Sequence, residues 1–313
     1  MSRKRPSVSA VVVSYNVAEL LHDCLVSLER ARAAGELDEV IVVDSSSSDS
    51  SVAMVGETFP DATVRIVPNR GYGAAVNIGL DTASGDAIFV LNPDTVICSD
   101  AIGQLSETLF GSDRIGLVGP RLVYPDGRPQ PPRRRFPTGW TPLFESTILE
   151  EWLPGNRWAS AYRMTDDPEP KGPQPVDWLV GAALMVRRVA AAQAGGFDES
   201  FWLYGEELEW CYRIRMHGWD IQYVPSATVV HHEGASTSQD RLSSRLAFDR
   251  GRILAQQKIH GPAIARRAMG MARLNYGLHL LREVTKWMAG HRRDLRRERI
   301  INYWTLLKSD LNG

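Results

Sequence analysis

Two kinds of apolar pattern alternate along the first hundred residues. Short β-branched runs predict strands that are buried on both faces. These runs stand at residues 8–14, 39–44, 63–67 and 87–91. Residues 17–32 and 74–83 instead place apolar side chains three and four positions apart, which is typical of helices. Strands that alternate with helices predict an α/β fold with a doubly wound, mostly parallel sheet.

The pattern changes in the second half of the chain. Residues 124–175 are rich in proline and carry three consecutive arginines, Arg133 to Arg135, which predicts an extended surface connection. A solvated loop and an acceptor-binding loop both fit this segment. The remaining predicted elements are regular structure at 176–187, a helix at 208–217, strands at 220–224 and 228–231, and helices from Leu242 onward.

Polar residues follow each of the first four predicted strands. They lie at residues 14–16, 44–49, 69–73 and 92–94. In doubly wound sheets, ligands bind in the crevice at the carboxyl ends of the strands. Four polar strand ends at one sheet edge therefore predict a binding crevice.

The composition excludes several classes of protein. The chain has 313 residues, of which 43% are hydrophobic and 23% are charged, so it is large enough to fold without disulfides or a structural metal. The cysteines Cys24, Cys98 and Cys211 form no CxxC pair, which fits a reducing cytoplasm. The basic start, MSRKRPS, is not followed by a long apolar segment, and no apolar run approaches the roughly 18 residues of a membrane span. We therefore expect neither a signal peptide nor a transmembrane helix.

The net charge of −1 is unevenly distributed. Residues 1–260 carry 25 lysines and arginines against 33 acidic residues, and residues 261–313 carry 11 against 4. A basic tail on an acidic body predicts an anionic partner, either membrane phospholipid or nucleic acid. Nucleic acid is disfavoured because the body is acidic and no recognition motif is present. Arginines beside Trp287, Tyr303 and Trp304 favour helices at a membrane interface, and a helical cap or a homodimer contact is the alternative.

Three segments carry candidate chemistry. The loop 69–73 lacks the third glycine of a dinucleotide fingerprint, because Val76 stands there, but its glycines allow a close approach to phosphate. Asp94 follows a stiff Asn-Pro turn and can ligate Mg²⁺ if a diphosphate supplies further oxygens, with a histidine of the pair 231–232 as a second ligand. The acidic cluster at 206–209 opens a helix, and neighbouring carboxylates raise one another's pKa toward that of a general base.

The order of the motifs VVVSYN, DSSSSD, NRGYGAAVN, LNPD, GGFDESFWLYGEELEWCYR and VVHHEGAST resembles glycosyltransferase family 2, whose members are inverting nucleotide-sugar enzymes with the GT-A fold. The resemblance covers residues 8–237. The stretch GNRWASAYRM at 155–164 and the Pro/Arg-rich middle are similar to a bacterial rhamnosyltransferase branch. The resemblance implies a catalytic domain at 1–240, with a nucleotide-sugar half at about 1–123 and an acceptor half at about 124–240, and a basic C-terminal helical region at 241–313.

The resemblance also implies roles for individual residues. Asp94 and His231 would bind Mg²⁺ or Mn²⁺, with His232 in reserve, and Glu207 would be the catalytic base, with Glu206 in reserve. Residues implied to border the nucleotide are Ser14, Tyr15, Asn16, Asp44, Ser46, Asn69, Gly71, Gly73, Asn77 and Asn92. Residues implied to bind the acceptor are Trp178, Gly181, Ala182 and Glu209.

The implied reaction is sugar transfer from a nucleotide diphosphate to a hydroxyl of a glycan or a polyprenyl-diphosphate-linked acceptor, in cell-envelope polysaccharide synthesis. The first expectation for the donor is dTDP-β-L-rhamnose, and UDP-linked hexoses come second. The expected location is the inner face of the plasma membrane. A nucleotidyltransferase and a non-catalytic nucleotide-sugar-binding partner are the alternatives from other classes.

Overall fold

A computed structural model describes residues 5–233 and 241–311, and the chain divides into two units. The first comprises Met1–Arg134, Asp167–Trp202 and Glu206–Gln239, and the second comprises Arg135–Asp166, Leu203–Gly205 and Asp240–Gly313. The second unit thus combines the helical region predicted at 241–313 with part of the predicted acceptor half. The functional division at residue 240 stays a prediction.

The helices and strands follow one another as the alternating pattern requires. The strands are β1 Val8–Ser14, β2 Glu39–Asp44, β3 Thr63–Ile66, β4 Ala87–Leu91, β5 Thr95–Ile97, β6 Ile115–Val123, β7 Pro129–Gln130, β8 Arg133–Arg134, β9 Gln174–Pro175, β10 Trp178–Leu179, β11 Ala183–Arg187 and β12 Asp220–His231. The helices are α1 Ala18–Ala33, α2 Ser51–Thr58, α3 Tyr72–Thr82, α4 Ala101–Phe110, α5 Thr141–Phe144, α6 Ile148–Trp152, α7 Arg157–Arg163, α8 Arg188–Ala194, α9 Glu206–Met216, α10 Arg241–His260, α11 Pro262–Met288 and α12 Arg293–Lys308.

The first unit is built on one mixed sheet with the strand order β3-β2-β1-β4-β11-β6-β12-β5. Strands β1 to β4 are mutually parallel, and β11 is antiparallel to both β4 and β6. Because β12 runs parallel to β6, its carboxyl end lies at the same edge as those of β1 to β4. The sheet is thus mostly parallel, with helices around it, as the sequence predicted.

Burial explains why the central strands are continuous apolar runs. All residues of β1 and β4 are buried, and α1 covers the sheet with Leu21, Leu25 and Leu28. Each fully buried side chain of this kind contributes about 1.5–3 kcal/mol of transfer free energy. The polar turns at the strand ends therefore follow strands that the core holds in place.

Two sequence expectations about local structure are wrong. The strands predicted at 220–224 and 228–231 form a single strand, β12, with a register irregularity between Val224 and Thr228. The segment 124–175 is not only an extended connection, because it contains the short helices α5, α6 and α7. Its buried side chains include Ile148 and Ala159, so it contributes to packing as well as to surface.

The second unit has its own small core, formed by Ile253, Ala265, Ala268, Tyr276, Leu306 and Leu311. Ion pairs supplement this core. Glu145 accepts from Arg163 at 2.7 Å and lies 3.0 Å from Arg252, and Glu283 pairs with Arg296 at 2.6 Å. In the part of the chain that the structure describes, none of the helices has the length and apolar content needed to cross a bilayer.

Candidate active site

The ends of β1 and β2 are joined by a network of short polar contacts. The Asp44 carboxylate accepts from the Ser47 amide at 2.7 Å and from the Ser47 hydroxyl at 2.6 Å. The Asn16 side chain accepts from the Ser48 amide at 2.7 Å. Parallel pairing places Ser14 opposite Asp44. These contacts bring together the first two predicted polar strand ends.

The residues around this network differ in exposure. Ser14 is fully buried, and its hydroxyl has no hydrogen-bond partner among the described residues. Tyr15 and Ser46 are exposed, and the Ser46 hydroxyl donates to the Val67 carbonyl at 2.8 Å. Asn16 and Ser46 both have a left-handed backbone, at φ values of 52° and 60°. Tyr15, Ser46 and Ser48 are exposed groups here that a ligand can reach without displacing the protein.

The glycine loop turns tightly before α3. Gly71 has a φ of 99°, and a side chain there would meet the carbonyl of Trp202 at 2.8 Å. The exposed Asn69 accepts from the Gly71 amide at 3.2 Å, and Gly73 packs against Phe197. The sequence predicts that this loop lies beside the nucleotide phosphates. A helix N-terminus favours negative charge, which fits that prediction.

Tyr72 is a site residue that the sequence reasoning missed. Its hydroxyl donates to the Asn92 side chain at 3.1 Å. Burial raises the pKa of Tyr72, and the negative charges of Glu206, Glu207 and Asp94 raise that pKa further. The phenol therefore stays neutral, and its hydrogen bond joins the glycine loop to the turn that carries Asn92. Its position between the two glycines of the loop 69–73 was the available signal.

Asp94 and His231 form the buried pair that the sequence predicts as metal ligands. Both are 6% exposed, and His231 Nε2 lies 3.4 Å from Asp94 Oδ1. The antiparallel pairing of Thr95 with His231 brings the two residues together. Asp94 Oδ1 makes no hydrogen bond to any group in the described ranges. The backbone amide of His232 donates a hydrogen bond to the Asp94 carbonyl, and the His232 side chain is exposed.

An imidazole nitrogen beside an unpartnered carboxylate oxygen is a donor set that fits a divalent cation. Residues 5–233 and 241–311 contain no group of three or more His, Cys, Asp or Glu side chains placed to hold a metal ion. A cation at this pair would thus need further oxygens from a diphosphate or water, as the sequence expectation requires.

The two glutamates that begin α9 have different surroundings. Glu206 is 4% exposed, and its Oε2 lacks a hydrogen-bond partner in the described structure. Burial raises the pKa of Glu206, and the negative charge of Glu207 adds to the effect, so this pKa lies well above its ordinary value. Glu207 is half-buried and rests on Gly181, where an added Cβ would be 3.2 Å from its side chain. Gly181, a predicted acceptor residue, therefore lies beside the predicted base.

Four predicted site residues are buried or bonded to other parts of the protein. The Asn77 amide bonds the backbone of Phe197 through both of its polar atoms. Glu209 forms an ion pair with Arg213 at 2.8 Å. Trp178 and Ala182 are buried, and the Ala182 carbonyl accepts from the Asn92 amide. The ligand roles of these four residues stay predictions, and the geometry gives them structural contacts.

The sequence comparison identifies the family. Residues 9–165 match the family described as glycosyl transferase family 2. The chain is also 34% identical, over 247 residues, to the N-acetylglucosaminyl-diphospho-decaprenol L-rhamnosyltransferase of Mycobacterium tuberculosis. That match covers 74% of this chain and 78% of the relative. The chain belongs to glycosyl transferase family 2. The low-salt glycan biosynthesis hexosyltransferase Agl10 of Haloferax volcanii is a more distant relative of this glycosyltransferase, 27% identical over 83% of this chain and 78% of the relative.

Solved structures confirm the fold expectation. The match to the structure of GalNAc-T7 with UDP, GalNAc and Mn²⁺ covers 72% of this chain and 43% of the GalNAc-T7 chain, with a TM-score of 0.56 and 19% identity. The mannosyltransferase PcManGT of Pyrobaculum calidifontis, in complex with GDP-Man and Mn²⁺, matches 97% and 86% of the two chains, with a TM-score of 0.51 and 17% identity. The chain has the GT-A fold of these enzymes.

Proposed function

We propose that this glycosyltransferase moves L-rhamnose from dTDP-β-L-rhamnose to a hydroxyl of a glycan or a lipid-linked saccharide, in cell-envelope polysaccharide synthesis. The observation that carries the proposal is the buried Asp94–His231 pair with its unpartnered carboxylate oxygen. Tyr72 lies within electrostatic reach of Asp94 and of the glutamates of α9, whose negative charges raise its pKa. The choice of rhamnose is supported by the 34% identity to a mycobacterial L-rhamnosyltransferase.

The donor is proposed to bind along the polar strand ends. Tyr15, Asn16, Asp44 and Ser46 would border the base and ribose, and the diphosphate would lie at the N-terminus of α3. Asp94 Oδ1 and His231 Nε2 would hold Mg²⁺ or Mn²⁺. Such an ion, when bound, neutralises charge on a departing diphosphate, an effect worth several kcal/mol.

Glu207 is proposed as the general base. The acceptor oxygen forms a bond to the anomeric carbon while the bond from that carbon to the diphosphate breaks on the opposite face. Glu207 takes the proton of the acceptor hydroxyl, so a β-L donor yields an α-L-rhamnoside. Glu206 is the weaker candidate because it is almost completely buried, and burial raises its pKa and so favours the protonated form, which cannot accept a proton.

A transfer assay tests the donor and the base together. Purified enzyme with Mn²⁺ receives dTDP-β-L-rhamnose, UDP-glucose or GDP-mannose, and a synthetic GlcNAc-diphosphate-lipid acceptor. We expect an α-L-rhamnoside by NMR, and a rate lower by about 10²–10⁴ in Glu207→Gln. The exposed Glu57 on α2, changed to Gln, is the matched control.

The outcomes of this assay separate the alternatives. Transfer from UDP-glucose alone would make the enzyme a UDP-hexose transferase. Nucleotide binding without transfer of any sugar would indicate a non-catalytic nucleotide-sugar-binding partner. A Glu207→Gln variant as fast as the natural chain would refute the base assignment.

We also propose that the second unit holds the enzyme at the inner face of the plasma membrane. Between Pro262 and Lys308, nine lysines and arginines are exposed against two exposed acids, Asp294 and Glu298. Exposed apolar side chains stand among them: Leu274, Leu281, Trp287, Met288, Ile301 and Trp304. Arg293 lies over the Trp287 ring, and Lys308 lies over the Trp304 ring. Mixed aromatic and basic surfaces fit an anionic lipid interface.

Co-sedimentation with anionic liposomes tests the membrane contact. Each basic side chain near such a surface is worth about 1 kcal/mol, so the double variant Arg293→Glu and Arg297→Glu should lose at least about 2 kcal/mol, roughly thirtyfold in partitioning. The matched control reverses the exposed Arg65 and Arg114 of the first unit. Unchanged sedimentation of the first variant would refute the membrane contact. Loss of a dimer in that variant would instead indicate a homodimer surface.

A further inference from the structure

A series of hydrogen-bonded side chains extends from His231 on the side away from Asp94. His231 Nδ1 lies 2.8 Å from Gln130 Oε1. Gln130 Nε2 donates to Glu233 Oε2 at 2.7 Å, and the Tyr124 hydroxyl donates to the same oxygen at 2.7 Å. Gln130 is 7% exposed and lies in β7, which pairs with β6. Gln130 lies outside the sequence motifs, and Glu233 stands in the motif VVHHEGAST with no role assigned to it.

The direction of these hydrogen bonds, from donor to acceptor, follows from Glu233. A carboxylate accepts hydrogen bonds and donates none, so the NH₂ group of Gln130 must face Glu233. The oxygen of Gln130 then faces His231 and must receive a hydrogen bond, which places the imidazole proton on Nδ1. This assignment rests on the partners rather than on the amide orientation alone.

That tautomer determines what His231 presents to Asp94. With the proton on Nδ1, the lone pair is on Nε2, the atom that lies 3.4 Å from Asp94 Oδ1. Two acceptor atoms then face each other in a buried site, an arrangement that a cation between them stabilises. The buried Gln130 amide is hydrogen-bonded at both ends, so its burial is compensated and its orientation is determined by its two partners.

We propose that Gln130 and Glu233 are positioning residues that hold His231 in its Nδ1–H tautomer and so prepare Nε2 and Asp94 Oδ1 as a ligand pair for Mn²⁺ or Mg²⁺. This inference rests on the metal role of Asp94 and His231 in the proposed function. Hydrogen-bond partners of metal-ligating histidines typically contribute tenfold to a hundredfold in metal affinity.

The first experiment measures the affinity of the full chain for Mn²⁺ in the presence of dTDP, by electron paramagnetic resonance of the free ion. We expect Gln130→Leu to weaken binding about 10- to 100-fold. Tyr124→Phe is the matched control, because it removes a donor to Glu233 and leaves the Gln130 contacts in place; its effect should be smaller. The exchange Gln130→Glu with Glu233→Gln restores an acceptor toward His231 and a donor toward residue 130, so it should recover most of the affinity.

The second experiment needs no metal. Long-range ¹H–¹⁵N spectra of the imidazoles in EDTA report the tautomer of His231 directly, with His231→Ala assigning the signal. We expect Nδ1–H in the natural chain and in the exchanged pair, and Nε2–H or a mixture in Gln130→Leu. Urea unfolding in EDTA shows whether the variants are equally folded.

The outcomes distinguish this inference from the proposed function. If the natural chain binds Mn²⁺, Asp94→Ala does not, and Gln130→Leu binds as tightly as the natural chain, the positioning role is wrong and the metal site stands. If the natural chain and Asp94→Ala bind Mn²⁺ equally, the metal role of the pair fails and the inference fails with it. An Nε2–H tautomer in the natural chain would overturn the inference whatever the affinities.

Discussion

The substitution Glu206→Gln tests the electrostatics of the candidate active site. Glu206 begins α9, is 4% exposed and has a carboxyl oxygen with no hydrogen bond within the described residues. Burial and the adjacent charge of Glu207 raise the pKa of Glu206 well above its ordinary value. The folded chain therefore keeps a proton on this carboxyl at pH values where the unfolded chain has lost it.

The sign and size of the effect follow from proton linkage. Because unfolding releases this proton above about pH 4.3, the contribution of Glu206 to stability falls as the pH rises from there to the folded pKa. The loss is about 1.4 kcal/mol for each pH unit. Glutamine binds no proton, so the free energy of unfolding of Glu206→Gln should exceed that of the natural chain by a margin that grows with pH. Between pH 5 and pH 7 the margin should grow by up to about 2.7 kcal/mol.

Urea unfolding at pH 5, 6 and 7 measures this margin. Glu209→Gln is the matched control, because it makes the same change on the same helix but breaks the ion pair with Arg213. We expect that control to lower the stability of the chain. If the natural chain and Glu206→Gln differ by a constant amount at all three pH values, Glu206 is ionised in the folded chain. The raised pKa of Glu206 would then no longer be a reason to prefer Glu207 as the base.

Three further predictions concern the metal pair, the glycine loop and the ion pair of the second unit. Asp94→Asn should abolish the additional thermal stabilisation that Mn²⁺ gives in the presence of dTDP, and an unchanged Mn²⁺-dependent shift would contradict the ligand assignment. Gly71→Ala should cost about 1–3 kcal/mol, because its φ is 99° and a backbone carbonyl lies 2.8 Å from the added carbon, whereas Gly270→Ala, which meets nothing within 4 Å in α11, should gain about 0.5–1 kcal/mol in urea unfolding. Arg296→Met should cost up to about 3–5 kcal/mol at pH 7, because it removes the 2.6 Å partner of the Glu283 carboxylate, whose side chain is 1% exposed, and leaves that carboxylate the longer contact with Arg282 at 3.5 Å. Burial raises the pKa of Glu283, but Arg296, together with the charges of Arg299 and Arg282, holds that pKa below its ordinary value. The stability that the pair provides is therefore present above about pH 4.3 and disappears as the pH falls through the folded pKa, and a cost independent of pH would contradict this account.

The pattern of apolar residues predicted the central strands because strands buried on both faces are continuous apolar runs in the sequence. The predicted strands 8–14, 39–44 and 87–91 agree with β1, β2 and β4 residue for residue. Each is an apolar run that stops at a polar turn, so both bounds are visible. No apolar run of this kind predicted β6, which contains Gly116, Gly119 and Pro120, or β5, which has only three residues. Both strands pair with β12, and β6 also pairs with β11, so their conformation depends on partners distant in the sequence.

The helix α3 shows how backbone geometry refines a pattern. The sequence predicts a helix from residue 74, and the structure begins it at Tyr72. Gly71 adopts a positive φ and approaches the Trp202 carbonyl, a contact across more than a hundred residues that no local pattern records. Tyr72 is thus the first residue of α3, and its hydroxyl lies 3.1 Å from the Asn92 side-chain oxygen.

The sequence by itself determined the fold class, the family and the set of polar strand ends, because strand alternation and motif order are local properties of the chain. Only the tertiary structure decided which polar groups are already bonded and which are left for a ligand. Asn77 and Glu209 are engaged by Phe197 and Arg213, whereas Asp94 keeps an unpartnered oxygen beside His231 among the described residues. The physical reason is that a hydrogen bond depends on distance and direction in space, and the partners of these side chains lie on other segments of the chain or a full helical turn away.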